Sequence, residues 1–72
     1  MIAATLHNGA VELFLDDAGI DALIADLQSL RGLSTHLHKM TPGWGGEELA
    51  EITTKGELVN HLIIWSNAKL TD

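Results

Sequence analysis

The first fifteen residues alternate with a period of two, and the alternation folds back on itself at Asn8-Gly9. Both residues tolerate the positive φ angles of a type I′ turn, so the dipeptide predicts a two-residue hairpin loop. That loop sets Leu6 opposite Val11, Ala4 opposite Leu13 and Ile2 opposite Leu15, six apolar residues on one face. Thr5 then meets Glu12, and Ala3 meets Phe14, on the other. A slip of one residue would turn the apolar set to the wrong face, so turn and pattern specify one register over residues 1–15.

After Leu15 the period lengthens. Ile20, Leu23, Ile24, Leu27 and Leu30 recur at helical spacing, which predicts an amphipathic helix over 17–31 with that stripe in the core. Asp16 and Asp17 suit its N-terminus, Arg31 its C-terminus, and Gly32 a left-handed stop. Residues 33–66 return to strand character. Leu33 to Met40 alternates, with Leu33, Thr35, Leu37 and Lys39 on one face and Ser34, His36, His38 and Met40 on the other. Pro42, Gly43, Gly45 and Gly46 interrupt it around Trp44. Glu47 to Thr53 fits a short strand only loosely, and Thr54 to Glu57 reads as a turn. Leu58 to Ser66, rich in β-branched and aromatic residues, predicts the last strand. Residues 67–72 read as a frayed tail.

The fold class expected is α+β, with order ββαββ and room for one further strand: a small antiparallel sheet with one helix packed on one face. Sequential antiparallel pairing suggests the hairpin, then the third strand beside its first strand, then the last strand outermost. One helix covers one face only. Phe14, Ile63 and Trp65 then fall on the uncovered face, and a monomer rarely exposes such a patch. A homodimer using that face or the sheet edge is the expectation.

Composition narrows the picture. At 72 residues the chain is one domain, and one that buries only roughly 60% of its unfolded surface. No cysteine is present, so neither disulfide nor thiolate zinc site can staple it. Net charge is −6, and the basic residues Arg31, Lys39, Lys55 and Lys69 are scattered. Nucleic-acid binding needs clustered cations, so a nucleic-acid partner is not expected, whereas a basic protein partner suits this field. No apolar run is long enough to cross a bilayer, so no membrane association is expected either. The first residues lack the pattern of a secretory leader. A cytoplasmic protein is the expectation.

The segment His36-Leu37, Pro42, Trp44-Gly45-Gly46, Glu48-Leu49, followed by Leu58-Val59-Asn60-His61-Leu62, resembles the Immunity protein 32 family of bacterial polymorphic-toxin systems. The resemblance covers about the last 30 residues in detail and the front only in size and hairpin–helix pattern. It implies a cytoplasmic protein that binds and neutralises a cognate toxin, and it brings no catalytic residues.

The residues themselves offer two chemistries. His36 and His38 share a strand face, and the parity of the last strand adds His61. Three imidazoles on one sheet face could hold zinc with water as a fourth ligand, as a metal-binding protein or small metalloenzyme; the plainer reading is surface histidines. Trp44 is either an exposed binding anchor or a cap folded over the sheet edge. Glu47, Glu48 and Glu51, with Trp44, form the candidate rim for a basic partner, although ordinary solvation also accounts for carboxylates there. No nucleophile motif or phosphate loop is present, so no enzymatic activity and no cofactor are expected.

Overall fold

The structure is a computed structural model that describes residues 1–52 and 56–67. β1 (Ile2–His7) and β2 (Ala10–Leu15) form the hairpin, and α1 (Asp17–Leu30) follows. Then come β3 (Thr35–Met40), a 3₁₀ turn at Pro42–Trp44, β4 (Glu57–Leu58) and β5 (His61–Ser66). All pairing is antiparallel, and the chain is an α+β fold of small sheets with one helix. Of the turn expected at 54–57, residues 54–55 lie outside the described residues and Glu57 belongs to β4; Thr53 and residues 68–72 of the expected tail also lie outside them.

The hairpin has the register its pattern specifies: Ile2 opposite Leu15, Ala4 opposite Leu13, Leu6 opposite Val11. Asn8 and Gly9 both take positive φ, 50° and 80°. The third and last strands also pair as expected, with His36 opposite Trp65 and His38 opposite Ile63.

The single four-stranded sheet is not formed, because β1 and β3 do not pair. The sheets are β2-β1-β4 and β3-β5. The predicted last strand breaks at Val59–Asn60: Leu58, together with Glu57 from the expected turn, pairs with β1, and His61–Ser66 pairs with β3. Strands that bend and change sheets in this way make the corners of β structures. The loosely patterned segment after the glycines forms no strand over its described part. Leu49 N–H donates to Met40 O at 3.1 Å and Ala50 N–H to Ile2 O at 2.7 Å, so two residues bridge β3 to β1. Leu49 is buried there.

The helix starts where the sequence places it. Asp16 is the N-cap, its Oδ1 accepting from Gly19 N–H at 2.8 Å and from the Met1 amino group at 2.5 Å. Both bonds favour the charged carboxyl, the amino-group bond most, and hold Asp16 below the ordinary carboxylate range. Gly32 closes the helix with a φ of 78°.

Its rotation differs from the expected one. Gly19 and Leu30 are buried, with Leu23 and Asp26 half-buried, so the inward line runs 19, 23, 26, 30. At 3.6 residues per turn, Ile20, Ile24 and Leu27 lie about 100° around the axis, on one flank, and they are exposed. Two contacts set this rotation. Gly19 packs so tightly that a Cβ there would fall 1.9 Å from Met1 O. Lys39, on the β3 face that turns to the helix, is 6% exposed and donates to Asp26 Oδ2 at 2.5 Å. At the other end Ser66 Oγ lies 2.8 Å from Leu30 O and 2.7 Å from Leu33 O, tying β5 to the helix C-terminus.

Among the described residues the buried apolar set is small: Ile2, Ala3, Ala4, Leu30 and Leu49. The radius of gyration is 13.1 Å, above the roughly 11 Å of a compact domain this long. No described helix is long and apolar enough to cross a membrane.

Removing Asp26 leaves the buried Lys39 ammonium uncompensated. Breaking a fully buried pair costs about 3–5 kcal/mol; Asp26 is one-third exposed, so Asp26→Ala is expected to cost about 2–3 kcal/mol in denaturant melts. A loss under about 0.5 kcal/mol would show Lys39 to be solvated. Asp16 is tested by pH. Its folded pKa is depressed, so its charge stabilises fully above the ordinary value near about 4 and the contribution disappears as pH falls through the folded value. Asp16→Asn keeps a capping acceptor, so the gap between wild type and variant is expected to be widest at neutral pH and to close in acid. A gap that stays constant into acid would contradict the ion pair.

Candidate functional site

The face of β3-β5 turned away from the helix carries His36, His38 and Met40 from one strand and His61, Ile63 and Trp65 from the other. The alternation that turns Leu37, Lys39, Leu62 and Ile64 to the helix forces these six outward. Five rings then form a continuous row. Trp65 lies over His36 with centroids 4.2 Å apart; His36 meets His38 edge-on at 4.8 Å; His38 stacks on His61 at 4.9 Å; and Trp44 reaches His61 at 5.8 Å. His38 Nδ1 and His61 Nε2 are 2.7 Å apart, within hydrogen-bonding distance across the strands.

Trp44 therefore does not cap the core. It is 59% exposed, and Trp65 is 68% exposed. The row begins and ends on a tryptophan, and both offer an open face to solvent.

The turn that presents Trp44 is tightly built. Trp44 N–H and Gly46 N–H both donate to Thr41 O, at 2.9 and 3.0 Å. Gly45 has a φ of 89°, closed to most side chains. Gly46 is held against β3: a Cβ there would lie 2.5 Å from Met40 O and 2.7 Å from Met40 Cβ. Two of the expected rim carboxylates bond this same turn. Glu51 Oε1 accepts from Gly43 N–H at 2.8 Å, and Glu48 Oε2 accepts from Glu47 N–H at 2.7 Å. The bond from Glu47 N–H, with that from its own N–H next, keeps the Glu48 carboxyl below the usual range. Glu47 is exposed beside them.

Two residues of the site escape sequence reasoning. Thr41 is fully buried, and its Oγ1 donates to Asn60 Oδ1 at 2.7 Å while its N–H donates to Asn60 O at 3.0 Å. Asn60 thus pins the Trp44 turn to the bend between β4 and β5. The only trace of this in the sequence is an amide side chain inside an apolar strand pattern, where a partner is needed.

Of the expected dimer face, Ile63 and Trp65 lie together beside the ring row, whereas Phe14 is half-buried in the other sheet. Among the described residues, no group of three or more histidine or carboxylate side chains is placed to hold a metal ion. The row offers stacking surface, hydrogen-bonding imidazole edges and a carboxylate-bearing rim, a combination suited to recognising another molecule's surface.

No family model, no curated protein and no solved structure matches the chain.

Gly46→Ala is expected to cost about 1–3 kcal/mol and to shift Trp44 fluorescence, because the new methyl meets backbone. Gly43→Ala meets only the Glu51 carboxylate at 3.0 Å, which can swing aside, and is expected to be milder. Equal effects would show that the close contact with Met40 does not shape the turn.

Proposed function

We propose that this protein acts by binding another protein through the Trp44–His61–His38–His36–Trp65 row. The observation that carries the reading is the exposure of both tryptophans at the ends of one continuous ring surface. A small domain that leaves its two largest apolar side chains in water forgoes stability that folding them inward would give. Tryptophan is also the residue most enriched in binding hot spots. The acidic balance favours a basic partner and speeds its approach, with Glu47 at the rim.

The finer reading is that the partner is a toxin and that the protein is its immunity protein, working in the cytoplasm of the cell that makes both. Its support is the resemblance carried by His36-Leu37, Pro42, Trp44-Gly45-Gly46, Glu48-Leu49 and the Leu58-to-Leu62 run. Three of the five rings, His36, Trp44 and His61, and the glycine turn are among these residues, so the resembling segment overlaps the candidate surface; His38 and Trp65 lie outside the matched positions.

The test is co-expression with a toxin candidate, if a large one is encoded beside it. The expected result is survival of the cells and an isolable complex. In that complex Trp65→Ala or Trp44→Ala is expected to weaken binding by about 2–4 kcal/mol through a faster off-rate. Charge reversal at Glu47 should slow association, most at low salt. Cells that die equally fast with and without the protein, and no complex, would remove the toxin reading; binding that ignores both tryptophans would remove the surface.

A further inference from the structure

The helix flank Ile20, Ile24 and Leu27 is exposed and has no cover among the described residues, and its position relative to the sheet is fixed. Asp26 faces Lys39 on β3, while Leu27 and Leu30 lie across from Ile64 and Ser66 on β5. Around the helix, Ile20 and Ile24 lie on the Leu27 side of the inward line, so the apolar flank looks out over β5. Between flank and strand runs an open groove of about 290 Å³. Beyond it is the outer edge of β5, which pairs only with β3 among the described residues.

That edge carries none of the usual protections. His61–Ser66 has no proline, no lysine and no bulge, and its six-residue register with β3 is unbroken. It also has no carboxylate, although the chain as a whole carries −6. Like-charge repulsion between two copies is therefore low along this strand.

We propose that two copies pair about a twofold axis through their β5 edges. The result is a four-stranded sheet in the order β3-β5-β5-β3. An axis perpendicular to that sheet keeps both helices on one side, each turning its Ile20–Ile24–Leu27 flank to the other across the seam. Ile24, at the middle of the flank, then meets its own counterpart, and Leu27 meets Ile20. Backbone hydrogen bonds and apolar burial are satisfied together by one symmetric operation. A second copy is the occupant that matches both features at once: the edge is self-complementary as an antiparallel strand, and the flank is self-complementary as an antiparallel helix pair. The ring row lies on the opposite face and remains open, doubled across the axis.

The test is the solution mass of the full chain. Light scattering over micromolar concentrations is expected to give twice the 7.7 kDa chain mass. Ile24→Glu and Ile24→Lys are each expected to fall to the single-chain mass while keeping the far-UV dichroism of the folded chain. An equimolar mixture of the two is expected to return to the doubled mass, because opposite charges then meet at the axis. A wild-type chain that stays at the single mass overturns the proposal. So does a doubled mass that both Ile24 variants retain, or one lost instead on placing Val11→Glu in the β2 edge, or a mixture that stays single.

Discussion

The fold hangs on the outer edge of β1. On its inner side β1 holds the hairpin; on the other it receives Ala50 N–H at Ile2 O, Val59 N–H at Ala4 O at 2.9 Å, and the β4 pairing at Thr5 and Leu6. These bonds fasten the carboxyl-terminal half to the amino-terminal half. Ala3 and Ala4 are fully buried on this strand, which has chain hydrogen-bonded along both edges. The helix adds a second clasp of the same kind, with Gly19 against the Met1 carbonyl and the Asp26–Lys39 pair on β3.

This construction explains why so much apolar surface stays outside. Among the described residues the buried apolar set contains two alanines and three larger residues, a small core for an ordinary domain. The larger apolar side chains lie instead on Val11, Leu13, the helix flank and the ring face. A chain without cysteine has no covalent substitute for the missing core. The two proposed associations would supply the remainder, and they use the two faces of β3-β5 separately. The helix side offers an edge and a flank for a copy, and the far side offers rings for a different protein.

Local patterns were legible in the sequence wherever one interaction decided the outcome. Asn8-Gly9 sets the hairpin register, Asp16 and Gly32 bound the helix, and the parity of β3 and β5 places His36, His38, His61 and Trp65 on one face. Features set by two distant segments were not legible. The break at Val59–Asn60 answers to Thr41, and the bridge at Leu49–Ala50 answers to both β1 and β3. The helix stripe reads as core by periodicity, yet Gly19 and Asp26 decide its rotation, and neither stands out as an anchor until Met1 and Lys39 are placed beside it. The row as a chain of ring contacts was equally hidden. Parity gives the face, but only the fixed turn at Gly45-Gly46 brings Trp44 to His61.

The central claim is that the ring row is an open recognition surface in the folded chain. Collisional quenching of tryptophan fluorescence tests it directly, with a neutral quencher and the free protein over a range of concentrations. Both Trp44 and Trp65 should be quenched nearly as readily as a free indole at every concentration, and a bound partner protein should shield them. Protection of either tryptophan in the free protein would mean that the row is already covered, by the chain or by its copy, and would contradict the account.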